Sequence, residues 1–187
     1  MKRKRSVKGF GYEIAISLLF ALLVCTGCLA NPSNATESYK SQAKTDSIMR
    51  KAVGDSIYNI ITNAKKVVAE EIKMTMDSTK VIVRRKSINV KTKYIPLAQF
   101  IVSDPKIYVS NLTSYGKFFP CFKLTFTKKK EKCILNFDFG LKKWNVCDSK
   151  GKQIKMYDLP SDDMLRLANM LFPENDLYKN LINTDKR

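Results

Sequence analysis

Residues 118–158 read FFPCFKLTFTKKKEKCILNFDFGLKKWNVCDSKGKQIKMYD, and this stretch decides the fold. Its apolar residues alternate with polar ones in successive short runs. The members predicted to face inward are Phe122, Leu124, Phe126, Cys133, Leu135, Phe137, Phe139, Trp144, Val146, Ile154 and Met156. Strict alternation is typical of strands that bury one face. The stretch therefore predicts an antiparallel β-meander.

The connections between these runs set the predicted register. The predicted cross-strand pairs are Thr127 with Lys132, Phe139 with Trp144, and Asp148 with Lys152. The last pair closes a three-residue loop that needs Gly151 in the left-handed conformation. All of the connections keep the apolar residues on one face. The inner rows are then Phe122–Phe137–Val146–Ile154 and Pro120–Phe139–Trp144–Met156, and the outer rows are Cys121–Asp138–Asn145–Lys155 and Lys123–Asn136–Cys147–Gln153.

The segments before the meander predict a helix and then further strands. Apolar residues recur at three- and four-residue spacing between Val53 and Ile72, which predicts a long amphipathic helix over residues 46–76. Residues 80–94 alternate in polarity and predict a strand. Short strands are predicted at 98–102 and 107–110.

The C-terminal part predicts helices. Ser161 is the predicted cap of one helix, and Pro173 the predicted start of a short final helix that carries Leu177, Leu181 and Ile182. The predicted fold class is α+β: a long N-terminal helix packed on an antiparallel β-meander, with one or two C-terminal helices. This layout resembles cystatin-like and NTF2-like folds. The likeness is one of layout and implies no function.

The composition excludes much catalytic chemistry. The chain contains no His, which rules out Ser-His-Asp and Cys-His mechanisms and most zinc sites within it. We therefore predict no catalytic residue, no metal site and no cofactor. The 34 Lys and Arg residues outnumber the 17 Asp and Glu residues, and such an excess predicts attraction to phosphates or acidic partners.

The N-terminus carries an export pattern. Basic residues at positions 2–8 precede an apolar run from Ile14 to Val24, and Cys25-Thr26-Gly27-Cys28 follows. Thr26, Gly27 and Cys28 resemble the lipobox of bacterial lipoproteins, although Cys25 stands where that pattern usually has Leu. The resemblance implies that residues 1–27 are a signal peptide and that Cys28 carries diacylglycerol and a further acyl chain such as palmitate.

The same resemblance implies a location and a domain plan. The protein would be exported and lipid-anchored to a bacterial membrane, on the periplasmic side of the outer membrane. Residues 28–45 are polar and predict a flexible tether, followed by a single domain over 46–187. Two alternatives stay open: cleavage after Ala30 would give a soluble exported protein, and an uncleaved segment would act as a short membrane anchor.

The predicted strand parity separates the cysteines. Cys133 points inward, whereas Cys121 and Cys147 point outward and lie too far apart for a bond, so all of them are predicted to stay unpaired. The outer row of Cys121, Asp138, Asn145 and Lys155 is a possible lining of a ligand pocket, with a thiol beside a lysine. The alternative is a solvated outer face.

Lysines converge on one predicted tip of the meander. The loops 128–131 and 149–151 lie at the same end, and together they carry Lys128, Lys129, Lys130, Lys132, Lys150 and Lys152. Lysines suit loosely specified contact with phosphates. The predicted partners are the membrane through the N-terminal lipid, and anionic lipid, lipopolysaccharide or an acidic protein through this tip. Nucleic acid is not expected for an exported chain.

Three functions remain in order of preference. The first is a non-enzymatic envelope lipoprotein that binds a partner at a membrane surface. The second is a small-ligand carrier with a pocket between helix and curved sheet. The third is an enzyme that works without His.

Overall fold

The computed structural model describes residues 32–77, 80–110 and 116–184. Within them the fold is α+β, with a six-stranded open antiparallel sheet and five α-helices. The helices are α1 (Pro32–Val53), α2 (Asp55–Thr62), α3 (Ile95–Ser103), α4 (Asp163–Leu171) and α5 (Asp176–Thr184). The strands are β1 (Lys66–Asp77), β2 (Lys80–Asn89), β3 (Phe122–Lys128), β4 (Glu131–Asp138), β5 (Lys143–Cys147) and β6 (Gln153–Asp158).

The sheet lies in the compact unit Lys44–Arg187, in the order β2-β1-β3-β4-β5-β6. Its central strands bury one face completely, including Leu124 and Leu135. These side chains pack with buried residues of the helices in one continuous hydrophobic cluster. The meander β3–β6 confirms the prediction from residues 118–158.

Two of the predicted connections are confirmed. Thr127 lies opposite Lys132 and Phe122 opposite Phe137, as the β3–β4 hairpin requires. At the β5–β6 loop the Asp148 N–H donates to the Lys152 carbonyl at 3.0 Å. Gly151 has φ 82°, the left-handed conformation that only glycine adopts without cost.

The β4–β5 register differs from the prediction by two residues. Trp144 lies opposite Phe137, not opposite Phe139. The Asp138 carboxylate accepts the Phe119 N–H at 2.7 Å and the Leu141 N–H at 3.0 Å, and so holds the chain where β4 ends. A two-residue shift keeps every side chain on its predicted face. The faces of β4 and β5 were therefore predicted correctly, whereas all four predicted cross-strand rows were wrong between these two strands.

A β-bulge changes the last strand. The β5–β6 register shifts between Val146 and Cys147, so that Trp144 lies opposite Tyr157. One extra residue reverses the face of every residue beyond it. Ile154, predicted inside, is 51% exposed, and Met156 lies opposite Asn145 on the outer face. Tyr157 takes the inner position instead and is buried.

Residues 66–76, predicted to continue a long helix, form β1. The helical part is interrupted at Gly54, which has φ 82°, and α2 ends at Thr62. The local sequence does not reveal this strand, because Val67, Val68 and Ala69 are consecutive apolar residues and the acids Glu70 and Glu71 follow them, so polarity does not alternate. Pairing with both β2 and β3 decides in favour of the strand.

The strand predicted at 98–102 is also wrong, since this segment lies in α3. Ile95, Ala98 and Val102 are all buried at helical spacing. The Gln99 side chain donates to the carbonyl oxygen of Ile61 at 2.8 Å, which satisfies the end of α2. The segment predicted as a strand at 107–110 begins with the end of a 3-10 turn, Pro105–Tyr108.

The C-terminal helices exist, but they begin later than predicted. α4 starts at Asp163 and has no capping side-chain hydrogen bond, so Ser161 is not its cap. α5 starts at Asp176, and Pro173 lies in the preceding turn. The buried Asn175 caps α5, because its side-chain oxygen accepts the Leu177 N–H at 3.0 Å.

The predicted signal peptide 1–27 and Cys28 lie outside the described residues. The predicted tether 28–45 overlaps α1, which runs from Pro32 to Val53. None of the described helices is both long and apolar enough to cross a membrane. The proposed domain boundaries stay predictions.

Candidate anion-binding end of the sheet

The six lysines singled out from the sequence lie at one end of the sheet. Because β4 and β5 are antiparallel, with Ile134 opposite Cys147, the β3–β4 turn and the β5–β6 loop meet there. Lys128 is half-buried. The other five are exposed: Lys129, Lys130, Lys132, Lys150 and Lys152.

The two strands that precede the meander bring more lysines to the same end. β1 begins beside the end of β3, where Lys66 lies opposite Thr127 and the Lys65 N–H donates to the Thr127 carbonyl at 3.3 Å. β2 ends beside the start of β1, and exposed Lys91 and Lys93 follow it directly. We call the ten residues the basic end: Lys65, Lys66, Lys91, Lys93, Lys128, Lys129, Lys130, Lys132, Lys150 and Lys152.

Sequence reasoning missed four of these lysines. Lys65 and Lys66 were assigned to the middle of a helix, and Lys91 and Lys93 to a strand of unknown partner. The only signal that could have found them is the sheet order, which the local pattern does not contain. Once β1 lies between β2 and β3, its start must lie at the same end as the β3–β4 turn.

The charge of the basic end is little compensated. Its acidic neighbours in the two loops are Glu131 and Asp148. The Asp148 carboxylate accepts hydrogen bonds from the backbone N–H groups of Lys150 and Lys152, both at 2.9 Å, and so shapes the loop. No lysine of the basic end forms an ion pair with another residue in the part of the chain that the structure describes. These ammonium groups therefore remain available to an external anion.

An open groove of about 540 Å³ lies beside the basic end. Its apolar lining residues are Val53, Ile57, Ile60 and Ile154, and its polar ones are Ser56, Lys130, Glu131, Lys132, Asp148 and Ser149. The bulge in β5–β6 explains the exposed Ile154, because it places this apolar side chain on the surface. The groove therefore offers apolar contact next to ammonium groups.

The four residues predicted to line a ligand pocket do not share one row. Asn145 lies opposite Asn136 and Met156. Its side-chain oxygen accepts a hydrogen bond from the Asn136 amide, and its side-chain N–H donates to the Gln153 side-chain oxygen, both at 2.9 Å. Lys155 lies opposite Val146, and its Nζ is 5.3 Å from the centroid of the Tyr157 ring.

The other two members of that set lie near the opposite end of the sheet. Asp138 is buried with both oxygens accepting backbone N–H groups. Cys121 lines a groove of about 450 Å³, together with Phe119 and Leu177, that Asp138, Asn145 and Lys155 do not line. The register shift separates Cys121 and Asp138 from Asn145, and the bulge places Met156 instead of Lys155 opposite Asn145.

The three cysteine thiols that the structure describes are not activated. Cys121, Cys133 and Cys147 are all free, and Cys133 faces inward as predicted. Burial raises the pKa of Cys121 to about 11 and that of Cys133 to about 12. Burial also raises the pKa of Cys147. A thiol with a raised pKa carries little thiolate near neutral pH and is a poor nucleophile.

The described residues contain no group of three or more Cys, Asp or Glu side chains that could hold a metal ion. Comparison with known proteins finds no matching family model, and no curated protein or solved structure with significant similarity. Function is therefore inferred from the basic end and its groove.

Proposed function

We propose that this chain is a non-enzymatic binding domain of a bacterial envelope. In this proposal a lipid on Cys28 anchors it to a membrane after export, on the periplasmic side of the outer membrane. The basic end then contacts an anionic surface, namely phospholipid or lipopolysaccharide head groups or an acidic protein. The single observation that supports this function is the gathering of ten lysines from β1, β2 and both meander loops at one end of the sheet.

The chemistry of lysine fits a surface better than a single small ligand. An ammonium is a compact point charge on a flexible stem, and it makes phosphate contacts without the fixed geometry of a guanidinium. Each basic residue near an anionic membrane contributes about 1 kcal/mol. Salt weakens such contacts, because the Debye length is only about 8 Å at physiological ionic strength.

A vesicle-binding experiment tests this function. Residues 29–187 should bind vesicles of phosphatidylglycerol and phosphatidylcholine more tightly than vesicles of phosphatidylcholine alone. Gln in place of Lys128, Lys129, Lys130 and Lys150 should reduce the binding by at least about tenfold. The difference between the two kinds of vesicle should also vanish in about 1 M salt.

A matched variant separates position from total charge. The control variant also loses four positive charges, but from outside the basic end. It carries Gln in place of the exposed Lys86, Lys106, Lys117 and Lys179. This control should keep most of the parent's preference for anionic vesicles. Equal losses in both variants, or no preference in the parent, would mean that the basic end is only a solvated surface.

The groove supports a second candidate function, a small-ligand carrier. In this candidate the layout is cystatin-like or NTF2-like, and a ligand lies between helix and sheet. Apolar Ile57 and Ile154 beside Lys130 and Lys132 fit an apolar molecule with an anionic group. A fluorescent fatty acid should then bind residues 29–187, and Ile154→Glu should abolish that binding while vesicle binding through the lysines largely remains.

A further inference from the structure

The hairpin β1–β2 extends beyond the rest of the sheet. Pairing of β1 with β3 ends at Glu71, opposite Phe122, and the Ile72 N–H makes one more bond to the Cys121 carbonyl at 2.9 Å. Pairing of β1 with β2 continues to Asp77, opposite Lys80. The far part of the hairpin is therefore a two-stranded arm.

This arm exposes apolar side chains on both of its faces. Every residue from Val81 to Ser87 is exposed, and Val81 and Val83 are 59% and 45% exposed. Ile82 on the opposite face is 38% exposed. An isolated two-stranded ribbon is marginally stable in water, so a further strand would cover apolar surface and stabilise the arm.

The backbone of β2 offers hydrogen bonds along its outer edge. The Val90 N–H donates to the Val67 carbonyl at 2.9 Å, which shows that even-numbered residues of β2 direct their backbone groups toward β1. By alternation, the N–H and C=O groups of Val81, Val83, Arg85 and Ser87 point away from β1. β2 is the terminal strand of the described sheet, so no described strand pairs with this edge.

The charges next to this edge are basic. Arg84, Arg85 and Lys86 follow one another, and Arg85 shares Glu70 with Lys123. Arg84 and Lys86 make no ion pair with another described residue. A second copy of β2 would bring like charges together and is disfavoured. An acidic strand would complement both the charge and the unpaired backbone.

We propose that the outer edge of β2 binds an extended acidic segment of a partner protein as an added strand. Its backbone pairs with Val81, Val83, Arg85 and Ser87. Its β-branched residues cover the apolar Val81–Val83 part, and its Asp or Glu residues face Arg84 and Lys86. This interaction goes beyond the proposed surface contact, because it uses a different strand edge and a different recognition chemistry.

A peptide-binding experiment tests this proposal on the full chain in micelles of a neutral detergent. The probe is a fluorescent peptide of eight residues with alternating Val and Glu, and its anisotropy reports binding. Val83→Pro removes an outward N–H without touching the ladder to β1, and it should weaken binding at least about tenfold. Val83→Thr keeps the N–H and the β-branched shape, and should change binding by less than about threefold.

The charge requirement is tested with the same probe. Gln in place of Arg84 and Lys86 should weaken binding several-fold, and a peptide with Lys in place of Glu should not bind. Equal binding of the peptide to the parent and Val83→Pro would overturn the proposal. Loss of binding only in the variant with Gln at Lys128, Lys129, Lys130 and Lys150 would also overturn it, because the peptide would then be held at the basic end.

Two further results would assign the edge to another occupant and so overturn the proposal. One is a cross-linked dimer of the parent chain that Val83→Pro abolishes. The other is binding of the arm to anionic vesicles that is lost on replacement of Val81 and Val83 by Ser but persists in Val83→Pro. The vesicle assay of the basic end can fail without affecting the peptide assay, so the two proposals stand or fall separately.

Discussion

Trp144 and Tyr157 lie opposite each other on β5 and β6, with ring centroids 5.1 Å apart, both buried. The Trp144 indole N–H donates to the Ile107 carbonyl at 2.9 Å, and the Tyr157 hydroxyl donates to the Ala52 carbonyl at 2.7 Å. The pair therefore joins the sheet to the end of α1 and to the 3-10 turn. The β-bulge creates this arrangement, because without it Met156 would occupy the inner position.

Substitution of Tyr157 tests this junction. Tyr157→Phe removes the hydrogen bond to Ala52 but keeps the ring, and should lower the free energy of unfolding by about 1 kcal/mol. Tyr157→Ala should cost about 3–5 kcal/mol, because it leaves a cavity against Trp144. Urea unfolding followed by the fluorescence of Trp144, the single tryptophan, measures both changes. Phe119→Ala, at an exposed position, is the control and should cost far less.

The buried thiols predict a loss of stability at high pH. Folding raises the pKa of Cys133 from its ordinary value of 9.0 to about 12, and that of Cys121 to about 11, through burial. Their contribution is fully present below about pH 9. It is lost as the pH rises through the folded-state pKa values, because the unfolded chain releases these protons first.

Denaturant unfolding between about pH 7 and pH 11 measures this dependence. The free energy of unfolding of residues 29–187 should fall above about pH 9, and Cys133→Val should fall less steeply than the parent. A thiol reagent should label Cys133 only after unfolding. Rapid labelling of Cys133 in the native protein would contradict its burial on the inner face of the sheet.

The loop carboxylate at the basic end predicts a gain of anion binding. Asp148→Asn keeps the side-chain oxygen that accepts the N–H groups of Lys150 and Lys152, but it removes the negative charge. Binding to anionic vesicles should rise up to about fivefold, since one charge near such a surface is worth about 1 kcal/mol. Asp163→Asn, at the start of α4, is the control and should leave binding unchanged. A loss of binding in Asp148→Asn would show that the carboxylate is needed for more than the loop shape.

The anchor is predicted from Thr26-Gly27-Cys28. Cys28→Ser should release the protein from bacterial membranes or leave it unprocessed, whereas Cys25→Ser should keep the lipid, because only Cys28 follows Thr-Gly. Fractionation and mass spectrometry of the mature N-terminus measure the outcome. An unmodified mature chain beginning at Asn31 would refute the lipoprotein prediction.

The local pattern was sufficient for the β3–β4 hairpin, the inward position of Cys133 and the β5–β6 loop around Gly151. Each depends on nearby residues alone: a tight turn joins adjacent strands, and alternation then assigns the faces. The same reasoning placed six of the ten lysines of the basic end together. It could not place Lys65, Lys66, Lys91 and Lys93, because their positions depend on which strand β1 pairs with.

The remaining features depend on tertiary structure. Residues from Val67 to Ile72 fit a helical spacing and do not alternate in polarity, so only pairing with β2 and β3 selects the strand. The two-residue shift between β4 and β5 leaves every side chain on the same face, so the alternation is identical in both registers. The bulge at Val146 and Cys147 adds one residue within a regular alternation. Packing of Tyr157 against Trp144 places Tyr157 on the inner face, and Ile154 then lies at the surface.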